Sequence, residues 1–303
     1  MAGRAPGAVA AVLAQADAEN FFVASRFLPH DVRQDLLAIY GFARCVDDAG
    51  DEGTSGPRER LALLDHLEEE LDLAYRGHPG HPIFVRLART IHRRALPDEP
   101  FRALIEANRR DQLVARYPAF QDLLAYCELS ANPVGRLVLH VLGAATQERV
   151  AMSDAVCTGL QLVEHWQDVG EDLGRGRIYL PLEDLRRFGV TEPELAGPRS
   201  TSRVRRLMAF EVERARGFLD RGAPLAATLP WRAGVAVAGF VGGGRAALRA
   251  IEREGFDVLG SQPRPARSRR VAAIAREVAG MTLTRGMRVQ RGVPARSRAE
   301  APW

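Results

Sequence analysis

Nearly every stretch between the proline and glycine breakers of this chain repeats its apolar residues at three- and four-residue intervals, the period of a helix with one buried face. Such segments run over residues 8–27, 31–49, 57–76, 83–95, 99–115, 120–129, 134–146, 154–173, 203–221, 231–254 and, more weakly, 267–284. No run alternates apolar with polar residues as a half-buried strand must. The breakers fall between these segments, in HPGHP (His78–Pro82), SANPVG (Ser130–Gly135) and GAPLAATLP (Gly222–Pro230). No repeat or low-complexity linker divides the chain. The pattern therefore predicts an all-α, single-domain helical bundle over residues 1–262, followed by an Arg-rich C-terminal helix and partly disordered tail over 263–303.

Composition narrows the function classes. With 46% hydrophobic and 26% charged residues in 303 positions, the chain has the balance of a soluble protein with a sizeable core. The uncharged run at 233–244 is too short and too Gly-rich to span a bilayer, and the N-terminus lacks the features of a signal peptide, so a cytoplasmic location is expected. Three scattered cysteines, Cys45, Cys127 and Cys157, point to reduced core residues rather than to disulfides or a zinc site. All 42 basic residues are Arg, and ten of them lie in residues 261–303 against Glu277 and Glu300 alone. Such a tail is either a solvated end or a contact for an anionic surface, and peripheral attachment at the inner face of a membrane is the expected form of contact. Without interleaved aromatics or a nucleic-acid module, no nucleic acid is expected. A monomer or weak homodimer is expected.

Two acidic clusters carry the chemistry. GFARCVDDAGDE (Gly41–Glu52) holds Asp47, Asp48, Asp51 and Glu52 on the last turn of an apolar-periodic segment, where the helix dipole is already negative. Asp47 and Asp51 lie about 40° apart on one helix face. In EHWQDVGEDLGRGRIYLP (Glu164–Pro181), Asp168 and Asp172 repeat that spacing, with Glu171 beside them and Glu164 one turn earlier. One reading makes each a solvated helix end balanced by Arg44, Arg175 and Arg177. Two clusters on apolar segments favour carboxylates that point into the bundle and are neutralised by hard cations. Magnesium takes oxygen ligands, keeps waters and bridges carboxylates to substrate phosphates, which makes a diphosphate the expected partner. The arginines would fork onto its oxygens. With no His or Cys nucleophile beside the carboxylates, metal-assisted departure of an allylic or cyclopropylcarbinyl diphosphate fits better than attack at phosphorus.

These residues resemble the squalene/phytoene synthase family. NFFVASRFLP (Asn20–Pro29), IYGFARCVDDAGDE (Ile39–Glu52), YCELSANPVGRLVL (Tyr126–Leu139) and WQDVGEDLGRGRIYLP (Trp166–Pro181) fall in the family's order, and GGGRAALRAIEREGFDVL (Gly242–Leu259) resembles its closing helix. The resemblance implies an isoprenoid-synthase fold with a central cavity and an isoprenoid diphosphate substrate. Magnesium, or manganese in its place, would be held by Asp47, Asp48 and Asp51 and by Asp168 and Asp172. Arg44 and Arg177 would contact diphosphate, Tyr40, Tyr179 and Gln167 would line the cavity, and Asp111 with Gln112 in RRDQ matches a further acidic position. ENF.VAS and SANPVG are most similar to the hopanoid-cluster branch called HpnC, whose members convert presqualene diphosphate to hydroxysqualene. That implies water capture and no NADPH. Glu164, where the family usually has Asn, is expected as a further metal ligand. Glu128 stands where carotenoid-forming members have Tyr, which argues against the enzymatic alternative, head-to-head joining of two farnesyl diphosphates. Gly50 is expected to loosen its helix turn.

The remaining motifs read as structure. GFVGGG (Gly239–Gly244) lacks the Lys and the strand of a phosphate loop and suits helix packing. His78 and His81 lie in a surface turn, and His140 and His165 on helices. Trp166, Phe21, Phe42 and Leu137 suit a packed wall. The rival from another class is a non-catalytic helical protein that binds membrane or nucleic acid through the Arg-rich tail.

Overall fold

The computed structural model describes residues 28–51, 56–260 and 262–290, with the side chains of 51 and 287–290 outside the description. The expected helix at 8–27, most of the NFFVASRFLP motif, the Asp51 side chain, Glu52 and the tail from 291 onward therefore lie outside it. Among the described residues there is no strand, only one isolated bridge between Arg116 and Ile178.

The first half is built from α1 (His30–Asp51), α2 (Pro57–Arg76), α3 (Pro82–Arg94), α4 (Glu99–Asp111), α5 (Phe120–Ser130) and α6 (Asn132–Val141). Proline in the first turn sets the start of α2, α3, α4 and α6, where its missing N–H costs nothing. Phe42 of α1 packs edge-on against Phe84 and Phe101, with ring centroids 5.6 and 5.1 Å apart, and Leu64 and Leu137 complete this core. Fully buried Asp35 pins α1 to α3, accepting from Thr90 Oγ1 at 3.0 Å, from Arg94 Nε at 2.7 Å and from Arg93 Nη2. Arg102 and Arg109 tie α4 to Glu68 on α2, which turns Asn108 between them toward α1.

The second half holds α7 (Gln147–Gln167), α8 (Val169–Gly174), α9 (Leu182–Phe188), α10 (Glu192–Leu195), α11 (Ser202–Gly222), α12 (Leu225–Thr228), α13 (Trp231–Arg253) and α14 (Arg267–Gln290). α11 lies along α7, and α13 packs on both. Trp166 is fully buried at their junction, its Nε1 donating to the Glu211 carbonyl at 3.1 Å. The GFVGGG glycines do serve packing: a Cβ on Gly242 would lie 2.8 Å from Ile274 Cα of α14, and one on Gly244 2.9 Å from Leu160.

Three details differ from the periodicity. The single helix expected over 154–173 is two, α7 and α8, because Asp168 leaves the helical region at φ −107°, ψ 13°. The SANPVG breaker interrupts the chain only at Ala131, where α5 hands over to α6. The GAPLAATLP breaker contains the one-turn helix α12. Of the helices, α13 alone among the described residues is long and apolar enough to cross a membrane, and 56% of its most apolar window is buried in the bundle.

Candidate active site

The first acidic motif ends α1. Arg44 Nε meets Asp48 Oδ1 at 2.7 Å one turn later, so this carboxylate is answered within its own helix. Asp47 is exposed, and its Oδ1 accepts from Asn108 Nδ2 of α4 at 3.1 Å. Gln112 donates to the Gly50 carbonyl at 2.9 Å and to the Asn108 carbonyl at 3.1 Å, bracing the last turn of α1 from across the interface. Tyr40 is half-buried on the same helix.

The second motif straddles the α7–α8 break. Asp168 closes α7 with its N–H on the Glu164 carbonyl at 3.0 Å, and its own carbonyl accepts from Asp172 N at 2.8 Å. Both carboxylates are half-buried. Burial first, and then the neighbouring Asp168 charge, push the Asp172 carboxyl up to about 7, against the pull of Arg175 and Arg177. Glu164 is exposed, and Arg175 is engaged by Glu171 at 2.8 Å.

The link between the two motifs is the end of α4. Ile178 N donates to the Ala115 carbonyl and Leu182 N to the Tyr117 carbonyl, both at 2.9 Å. This pairing carries Arg177 and Tyr179 to α4, where Arg177 Nη2 reaches the Asp111 carbonyl at 3.5 Å. Asp111 Oδ2 in turn accepts from the buried Tyr126 hydroxyl at 2.7 Å. Tyr179 is buried in an aromatic wall: it stacks on His165 (centroids 3.7 Å apart, planes 13° apart) and on Tyr117 (5.6 Å, 22°), with Tyr126 at 5.9 Å. Burial drives the His165 imidazole down to about 3, so it stacks as a neutral ring. The Tyr126 and Tyr179 phenols are pushed up by burial and by Asp111, and both stay protonated.

None of these described carboxylates is fully buried. Asp47 and Glu164 are exposed, and Asp48, Asp168 and Asp172 half-buried. Full burial of ionised groups is too costly without paired charge, so these carboxylates stay within reach of solvent. A cavity of about 550 Å³ opens beside Asp168 and Gln167, bounded by α8, α10 and the chain after α13. Glu128 is exposed. His81 caps α3, its Nδ1 accepting from Ile83 N at 3.4 Å, in keeping with a surface turn.

Sequence reasoning missed Asn108 and Gln262. Gln262 donates to Asp168 Oδ1 from the segment after α13, and Gln167 donates to the Pro263 carbonyl of that same segment. Only tertiary placement reveals either partner. Tyr126 stood in a quoted motif, yet nothing in its spacing pointed to Asp111.

Among the described residues no three His, Cys, Asp or Glu side chains converge on a ready-made cation site. The Asp168–Asp172 pair still fits a magnesium ion, which typically takes one or two carboxylates and fills its shell with water and substrate phosphate. The raised Asp172 carboxyl reflects burial first and then the Asp168 charge, and a bound cation would offset both.

An all-α bundle with acidic helix ends set around an aromatic wall defines an isoprenoid synthase. The chain belongs to the squalene/phytoene synthase family, whose profile matches residues 14–272; its members process isoprenoid diphosphates. It is 35% identical over 259 residues to a phytoene synthase of Arthrospira platensis, covering 80% of this chain and 82% of that one. It is 35% identical over 208 residues to a hydroxysqualene synthase of Sinorhizobium fredii, covering 68% and 70%. The crystal structure of a squalene synthase, HpnC, from Alicyclobacillus acidocaldarius superposes with a TM-score of 0.77 at 43% identity, over 82% of this chain and 95% of that one.

Proposed function

We propose that the chain ionises presqualene diphosphate and captures the resulting cation with water, releasing hydroxysqualene and diphosphate. The observation that carries this choice within the family is the 43% identity to HpnC, whose branch the ENF.VAS and SANPVG segments also resemble. The hydroxysqualene synthase of Sinorhizobium fredii supports it.

Asp47, Asp48 and Asp51 at one motif, and Asp168 and Asp172 with Glu164 at the other, are the residues that would hold magnesium. Magnesium, when bound, supplies positive charge to the departing diphosphate. Arg44 and Arg177 orient that diphosphate by forked contacts to its oxygens. The C–O bond to the cyclopropylcarbinyl carbon breaks, and its electron pair leaves with the phosphate. Tyr179, stacked on His165 and Tyr117, belongs to a neutral aromatic wall that presents no strong base to the cation. The cyclopropylcarbinyl cation rearranges, one ring C–C bond shifting onto the ionised carbon; a remaining ring C–C bond then breaks to open the linear thirty-carbon chain as a water oxygen forms the new C–O bond and loses its proton to solvent. No hydride is needed, so NADPH has no part in the balance.

Head-to-head condensation of two farnesyl diphosphates is the second reading, favoured by the phytoene synthase relative. Incubation with presqualene diphosphate and magnesium in oxygen-18 water decides between them. A labelled thirty-carbon alcohol at a rate indifferent to NADPH is the expected product. Squalene formed only with NADPH, or consumption of farnesyl diphosphate alone, refutes the proposal.

A further inference from the structure

The segment that joins α13 to α14 is fastened to the second acidic motif at consecutive residues. Gln262 Nε2 donates to Asp168 Oδ1, while Gln167 Nε2 donates to the Pro263 carbonyl. Gln262 is itself engaged from behind, its Oε1 accepting from Arg264 Nη2. The three side chains form a relay from guanidinium to amide to carboxylate. No other side chain hydrogen-bonds the Asp168 carboxylate among the described residues. Asp168 is at once the C-cap of α7 and the N-cap of α8, with Asp172 and Glu171 close by, and the relay answers its carboxylate with a polarised N–H rather than a second full charge.

We propose that Gln262 is a positioning residue for Asp168: it holds one carboxylate oxygen and orients the other for cation and diphosphate, with Arg264 reinforcing the amide. A neutral donor suits this role. An arginine in direct contact would compete with a cation for the carboxylate, whereas an amide fixes its orientation and leaves its negative charge available. The two ties also make the start of α14 part of the wall at the second motif, since α14 is locked to α13 by the Arg245–Glu277 contact at 2.5 Å and by the close approach at Gly242. The inference rests on the reading of Asp168 as a cation ligand.

The test measures binding apart from turnover. Free Mn²⁺ is followed by electron paramagnetic resonance as it is titrated into the full chain with inorganic diphosphate present. Gln262→Leu should weaken Mn²⁺ binding by roughly 10-fold, the usual scale for losing a partner that orients a metal ligand. Gln262→Glu, the same shape with a repelling charge, should weaken it further. Gln262→His, which retains a ring N–H donor, should recover part of the loss, and Arg264→Met should weaken binding by a smaller factor. Gln262 is only half-buried, and an unchanged melting temperature in Gln262→Leu separates this effect from misfolding. If the wild-type chain binds no Mn²⁺ with diphosphate, both the cation site and this inference fall. If the wild type binds and Gln262→Leu binds equally well or more tightly, this inference alone is overturned.

Discussion

Replacing Gly50 by Ala separates what helix propensity predicts from what the site requires. Gly50 is buried one residue before the end of α1, and propensity alone expects the substitution to stabilise by about 0.5–1 kcal/mol. A Cβ there would lie 2.3 Å from Asn108 Oδ1, 3.1 Å from its Cγ and 3.3 Å from its Cβ, so the Asn108 side chain must leave its position. Asn108 Nδ2 then loses Asp47 Oδ1 (3.1 Å) and the Leu104 carbonyl (3.2 Å). Each such hydrogen bond is worth about 1 kcal/mol, and crowding a packed site costs about 1–3 kcal/mol more. After the propensity gain, Gly50→Ala should destabilise by about 2–4 kcal/mol, a fall in Tm of about 3–7 °C for a domain of this size.

The assay is thermal unfolding of the wild type, Gly50→Ala, Asn108→Ala and the double variant. With Asn108 truncated the obstructing atoms are gone, so Gly50→Ala should gain about 1 kcal/mol in that background, giving a coupling of about 3–5 kcal/mol between the sites. Gly50→Ala should also raise the magnesium concentration needed for half-maximal turnover, because Asp47 loses its clamp. A higher Tm for Gly50→Ala alone, or additive effects, refutes the claim that Gly50 is small to admit Asn108.

Asp47→Asn combined with Asp168→Asn should abolish turnover and leave helical content by circular dichroism unchanged, because solvent-reached carboxylates contribute little to the core; a collapsed helical signal would assign the pair to folding. Glu211, fully buried beside Asp184 and Arg214, has its carboxyl pushed up to about 8, first by burial. Its stabilising contribution is complete below the unfolded value near 4.5 and is lost as pH rises through about 8, on the order of 5 kcal/mol in all, so Glu211→Gln should flatten the fall of Tm between pH 5 and roughly 9. α14 turns Arg267, Arg269 and Arg276 to solvent with Val271 and Leu283, which are 59% and 70% exposed. For the proposed membrane contact, the chain should sediment with anionic vesicles, release at high salt and bind several-fold more weakly as Leu283→Asp, whereas equal binding to zwitterionic vesicles would refute a charge-led contact.

Helix existence was legible because it rests on local terms. Pro57, Pro82, Pro100 and Pro133 mark four starts, and Gly77 at φ 85° ends α2. The break at Asp168 was not legible, because Leu162, Val163, Trp166 and Val169 continue the apolar rhythm straight through it. Two asparagine and glutamine side chains were equally silent. Asn108 reads as one polar residue on an amphipathic helix, and its role exists only because Arg102 and Arg109 on its flanks bind α2 and aim it at Asp47. Gln262 lies 94 positions from the carboxylate it contacts.

The acidic residues could be found from sequence because an acid repeated at i, i+4 on an apolar segment is a local anomaly. Of their holders only Arg44, one turn away on the same segment, could be, because each carboxylate is answered by a different means. Asp48 is paired within α1 by Arg44. Asp47 is held by a neutral amide from α4, and Asp168 by a neutral amide from beyond α13. A charged partner at either of the last two positions would screen the carboxylate from a cation, whereas an amide fixes its direction and leaves its charge to act on what binds. The amides of Asn108 and Gln262 each hold one carboxylate oxygen without neutralising it, an arrangement that leaves the charge of Asp47 and Asp168 to act on a cation.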